Sequence, residues 1–173
     1  MPPTLKLAKS LWGVPEADDP KQWDALFARI KAEGFDGVEA ITLTWRKDKD
    51  LFASLLKKHG LALICQIHTS GGDLDAKTGA YQYCTSNKLH DHLASFVKLT
   101  SEAKALGAVM INSHSGHDSW GSGDKALSFF KYALKVEKAL DIPVVHETHR
   151  RARPHARRAQ RAASADRVRH ASR

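Results

Sequence analysis

Short apolar runs alternate along this chain with longer segments whose apolar residues recur every three to four positions. That is the pattern of consecutive strand–helix units in a parallel sheet covered by helices. Strands are expected over residues 5–12, 37–40, 61–68, 108–113 and 143–147. Helices are expected over 21–33, where Trp23, Leu26, Phe27 and Ile30 share a face, over 48–59 with Leu51, Leu55 and Leu56, and over 88–106 and 125–140. Gly34, Gly60 and Gly107 stand where helix C-caps are needed, just before a strand begins. An open doubly wound sheet and a barrel both fit this alternation. No glycine-rich phosphate loop joins the first strand to the first helix, and polar side chains able to do chemistry recur at strand C-termini: Glu39, His68, His114 and Glu147. Both features favour the barrel, whose sites are built at that end.

The expected architecture is therefore α/β, a partial (β/α)8 barrel of about five units, because 173 residues fall short of the ~250 of a complete one. No apolar run approaches the ~20 residues of a membrane-spanning helix, and no signal-peptide pattern opens the chain, so a cytoplasmic protein is expected. Cys65 and Cys84 have neither metal-type nor redox-type spacing and read as reduced thiols.

Charge divides the chain. Residues 151–173 hold eight Arg, no Lys and one Asp, so they carry +7 of the net +8 and leave the first 150 residues nearly neutral. The tail has no Leu, Ile, Phe, Trp or Tyr; it cannot bury enough surface to fold and is expected to be disordered or weakly helical. It could bind nucleic acid non-specifically through its arginines. The abrupt change from Lys to Arg also fits a shifted reading frame beginning near Arg150, with residues 1–150 as the folded domain and 151–173 foreign to it.

The candidate chemistry lies at the strand ends. His68 closes the apolar run LALICQIH; a lone histidine there could simply bond a loop. The fourth strand continues as Asn112-Ser113-His114-Ser115-Gly116-His117-Asp118-Ser119-Trp120, either a polar turn with Trp120 packed on a helix or a pocket shaped by His114, His117 and Trp120. Glu147 follows Pro143-Val144-Val145 directly, and a carboxylate so placed needs a cation or a hydrogen-bonding partner.

The segments GFDGVEA, ICQIHT, GAVMINSHSGHDSW and IPVVHETHR together resemble the xylose isomerase-like TIM barrels, a group of sugar phosphate isomerases and epimerases that also holds endonuclease IV. The resemblance covers residues 1–150. It implies isomerisation or epimerisation next to a carbonyl, acting on a small sugar or sugar phosphate and assisted by a divalent cation (Mn, Mg, Co or Zn). On this resemblance Glu147 and His68 are the catalytic candidates, and Glu147 and His114 the metal ligands. Glu39, His114, His117, Trp120 and His149 would contact substrate. The family completes its metal shell with residues of strands six to eight, which are not found here, and some ketose epimerases carry a second Glu where this chain has Arg153. The metal is therefore expected to be weakly held or absent and the activity impaired, with self-association through exposed sheet edges. The alternatives are an endonuclease IV-like zinc phosphodiesterase and a non-enzymatic nucleic-acid binder acting through the tail.

Overall fold

The computed structural model describes residues 5–147 except 72, 79, 80 and 122; His149 and the Arg-rich segment 151–173 lie outside the described residues. Five strands form one parallel sheet: β1 (Ala8–Ser10), β2 (Gly37–Ile41), β3 (Ala62–His68), β4 (Met110–His114) and β5 (Val144–Glu147). Five α-helices accompany them: α1 (Trp23–Ala32), the short α2 (Thr42–Trp45), α3 (Lys49–His59), α4 (Leu89–Ala105) and α5 (Asp124–Leu140). The spatial strand order is the chain order, β1-β2-β3-β4-β5. A doubly wound sheet reverses its order at a switch point, whereas a barrel wall adds each strand beside the last; the order decides for the barrel.

The first strand is shorter than its hydrophobic pattern predicts. Leu5 and Leu7 are exposed and only Ala8–Ser10 pair with β2. The short helix Thr42–Trp45 follows β2 directly and was not foreseen, because a single helical turn carries no periodicity to read. The helix expected to start at residue 21 starts at Trp23, after a 3-10 turn, Pro20–Gln22, capped by the Asp19 carboxylate accepting from the Lys21 N–H.

The main core lies between the outer faces of the strands and the helices. Val38, Ala40, Leu63, Cys65, Ile67 and Ile111 alternate outward along β2, β3 and β4 and are fully or almost fully buried. Phe52 of α3 stands edge-on to Trp23 and Phe27 of α1, with ring centroids 5.0 and 5.3 Å away, and locks these helices together. Asp48 caps α3 by accepting from the Leu51 N–H at 3.0 Å, and Gly60 ends it at φ +62°, which a Cβ would strain. Gly37 is required by proximity: a Cβ there would lie 2.6 Å from the Ala62 carbonyl oxygen.

Among the described residues no helix is long and apolar enough to cross a membrane.

Candidate functional site at the strand C-termini

The alternation that buries Ile67 and Ile111 turns their neighbours to the opposite face. Glu39 on β2, Gln66 and His68 on β3, Asn112 and His114 on β4 and Glu147 on β5 line a cavity of about 1220 Å³ at the C-terminal end of the sheet. Strand register places His68 beside His114 and His114 beside Glu147. The two imidazoles stack, with centroids 4.2 Å apart and planes inclined by 25°.

Glu147 is not sealed in the core, as its apolar run suggested; its side chain is 42% exposed. It does have the expected partner: Oε2 lies 2.7 Å from His114 Nε2. The Gln66 amide is 2.8 Å from the same nitrogen. A carboxylate only accepts, so His114 Nε2 carries a proton and directs it at Glu147, the shorter of the two contacts. Asn112 links the two acids of the site. Its Nδ2 donates to Glu39 Oε1 at 2.9 Å and, more weakly, to Glu147 Oε2 at 3.4 Å, while its Oδ1 is buried without a hydrogen-bond partner.

The loop between β3 and α4, together with Trp12 just after β1, supplies an aromatic wall. The Tyr81 hydroxyl is 2.8 Å from His68 Nδ1, and Tyr83 and Trp12 stand around the same imidazole at 4.9 and 6.5 Å between centroids. Burial pushes the Tyr81 phenol up to about 12, so it stays protonated and can donate. Arg46 anchors the loop, reaching Asp73 at 2.9 Å and Glu102 of α4 at 2.8 Å.

Behind the cavity, His92 is fully buried at the start of α4. Its Nε2 donates to the Ser86 carbonyl at 2.7 Å, which leaves Nδ1 to accept from the Thr69 hydroxyl at 2.7 Å. Burial holds this histidine below its ordinary value, although the Ser86 bond opposes the shift. Trp120 stacks edge-on against His92 at 4.6 Å, donates Nε1 to the Asn87 carbonyl and also lines the cavity, so the packing and pocket readings both describe it. His117 lines the cavity while its Nδ1 accepts from the Ser119 N–H, capping the 3-10 turn Asp118–Trp120.

The structure thus gathers Glu39, His68, His114, His117, Trp120 and Glu147 around one cavity; His149 lies outside the described residues. Sequence reasoning gave no site role to Gln66, Tyr81, Tyr83 or Trp12 and left Asn112 in a segment that could be a polar turn or a pocket wall. The signal for Gln66 and Asn112 was available: each stands two positions before a strand-end histidine and so shares its face. The tyrosines had no such signal, because a loop brings them in.

Among the described residues no group of three or more His, Cys, Asp or Glu side chains is placed to hold a metal ion. His114 and Glu147 are two adjacent donors, an incomplete ligand set for the cation that the resemblance implies.

No protein-family model and no curated protein sequence matches this chain. Solved structures do. D-allulose 3-epimerase from Methylomonas sp. in complex with D-allulose superposes with a TM-score of 0.62 at 14% identity over 87% of this chain and 53% of that one. The same enzyme with additional C-terminal residues gives 0.57 at 15% identity over 83% and 51%. A D-psicose 3-epimerase in the presence of D-fructose gives 0.52 at 16% identity over 85% and 53%. The chain spans about half the length of these structures. Its five parallel strands, in chain order and with helices in the four connections between them, have the TIM-barrel fold of those structures over about half of their length.

Proposed function

We propose that the strand-end cavity binds an uncharged sugar and that Glu147 moves a proton on the carbon next to its carbonyl, as in an isomerase or epimerase. The contact between Glu147 Oε2 and His114 Nε2 at 2.7 Å carries this reading. A half-exposed carboxylate can reach a substrate C–H, and the imidazole N–H beside it stabilises its charge before the transfer. Asn112 holds Glu147 in line with Glu39, whose carboxylate can accept from a sugar hydroxyl. His68 pairs through Nδ1 with the Tyr81 hydroxyl at 2.8 Å; in the tautomer in which that hydroxyl donates, the imidazole bears its proton on Nε2 and can donate to the oxygen on which enediolate charge develops. His117 and Trp120 bound the far side of the cavity, and His149 is assigned with them as a substrate contact.

A divalent cation (Mn, Mg, Co or Zn) would take Glu147 and, in place of the Nε2 proton, His114, and when bound would polarise the carbonyl. Two donors among the described residues make a weak site, so this chain is expected to be impaired as a metal-assisted catalyst.

The cavity wall favours a neutral ligand. It carries Glu39, Asp118 and Glu147 and, among the described residues, no Lys or Arg. An anionic phosphate would meet carboxylates there, which counts against a sugar phosphate and against an endonuclease IV-like phosphodiesterase. Titration calorimetry with D-allulose and with a ketohexose phosphate tests this: heat with the first alone is expected, and tighter binding of the phosphate would overturn it. We assign residues 1–150 to the barrel unit and 151–173 to a separate basic segment. Deleting that segment should abolish any salt-dependent DNA binding while leaving sugar binding intact. Two free thiols suit a reducing, cytoplasmic setting.

A further inference from the structure

A second cluster on the cavity wall takes no part in the sugar chemistry. His146 precedes Glu147 and therefore faces the opposite side of β5, where its ring lies against Phe130 and Phe96 at 5.0 and 6.0 Å between centroids. Its Nε2 is 3.0 Å from Glu137 Oε1 on α5. The carboxylate can only accept, so Nε2 bears the ring proton and Nδ1 is the acceptor. Ser115 Oγ stands 2.7 Å from that Nδ1. With its own proton directed to His146, Ser115 Oγ accepts in turn from Ser113 Oγ at 2.8 Å, which fixes its position. The His146 and Glu137 side chains are only 19% and 17% exposed, whereas Ser115 lies on the cavity wall beside Ala126, Phe129 and Phe130.

We infer that Ser115 is a nucleophile, with His146 as its base and Glu137 fixing the imidazole tautomer, and that it takes acyl groups from uncharged esters with a small apolar acyl part. Roles define such a constellation, and either ring nitrogen can serve as the base. The apolar wall formed by Ala126 and Phe130, backed by the buried Phe129, suits the acyl portion. Ser115 Oγ attacks the ester carbonyl carbon while its proton passes to His146 Nδ1. The carbon–oxygen bond to the alcohol then breaks, and the departing oxygen takes the proton from His146. A water molecule repeats the sequence on the acyl-serine, giving up a proton to His146 and releasing the acid. No oxidant, reductant or metal enters.

The test is an alkyl phosphonofluoridate probe incubated with the full chain, followed by peptide mass mapping. Attack by Ser115 forms an oxygen–phosphorus bond and expels fluoride. The expected result is one phosphonyl group, on Ser115, in folded protein and none after denaturation. Glu137→Gln should slow the labelling by about tenfold or more and Ser115→Ala should abolish it, with circular dichroism confirming that each variant folds. Absence of modification at Ser115 in the folded wild type overturns the proposal, and so does equal labelling of Ser113 and Ser119. The wild-type map decides by itself if a variant fails to fold, and none of these readouts depends on sugar turnover.

Discussion

His114 and Glu147 sit opposite each other in the register of two neighbouring parallel strands, and their side chains meet at 2.7 Å on the cavity face. The contact follows from alternation alone. Ile111 and Ser113 turn toward the helices, so Asn112 and His114 must turn inward, and the residue paired with His114 shares its face.

His92 gives the fold a pH dependence. Burial lowers its proton affinity in the folded state, so the unfolded chain binds more protons as the pH drops through its ordinary value of about 6.5. Stability from the neutral ring is thus complete above that value and lost below it. The melting temperature should fall between pH 7 and pH 5, and His92→Gln should be less stable at pH 7 with a flatter profile. Asp19, Asp24 and Asp36 lie below their ordinary value of 3.8, so their contribution is lost at more acid pH and does not confuse the measurement.

Phe52 should be the costliest truncation among the helix-packing residues. It is fully buried between Trp23 and Phe27, and Phe52→Ala leaves a cavity that two neighbouring rings cannot collapse to fill. A loss of about 3–5 kcal/mol in urea denaturation is expected.

An exposed apolar stripe on α5 predicts self-association. Leu127, Phe130 and Leu134 fall at helical spacing and are 53%, 37% and 64% exposed. Leu134→Lys should reduce both apolar-dye binding and sedimentation of larger species, with little change in melting temperature. Unchanged dye binding would point to a different surface.

Much of this was legible in the sequence because the relevant forces are periodic. The strands at Gly37, Ala62, Met110 and Val144 and the face carrying Trp23, Leu26, Phe27 and Ile30 appear where apolar spacing put them, and the strand-end position singled out His68, His114 and Glu147. Periodicity alone could not separate barrel from open sheet, since strand order is a long-range property that no local window carries; the missing phosphate loop and the polar strand ends favoured the barrel, and the strand order agrees. Tyr81 and Tyr83 escaped notice for a related reason. They reach His68 only because Arg46 and the bonds between Ser70 and Thr85 fold the loop back on the sheet. Exposure misled once: the apolar run before Glu147 suggested burial, but β5 is the last strand of the described sheet and its inner face is open.

The central claim is that Glu147 exchanges a proton next to a sugar carbonyl, and solvent-deuterium incorporation tests it most directly because it detects proton abstraction even where net turnover is slow. The chain would be incubated with D-allulose or D-fructose in deuterium oxide, with and without manganese, and the sugar followed by NMR. The account predicts deuterium at the carbon adjacent to the carbonyl with the wild type and a loss of about 100-fold or more with Glu147→Gln at an unchanged melting temperature. Exchange that survives Glu147→Gln, or none with the folded wild type under either condition, would contradict it.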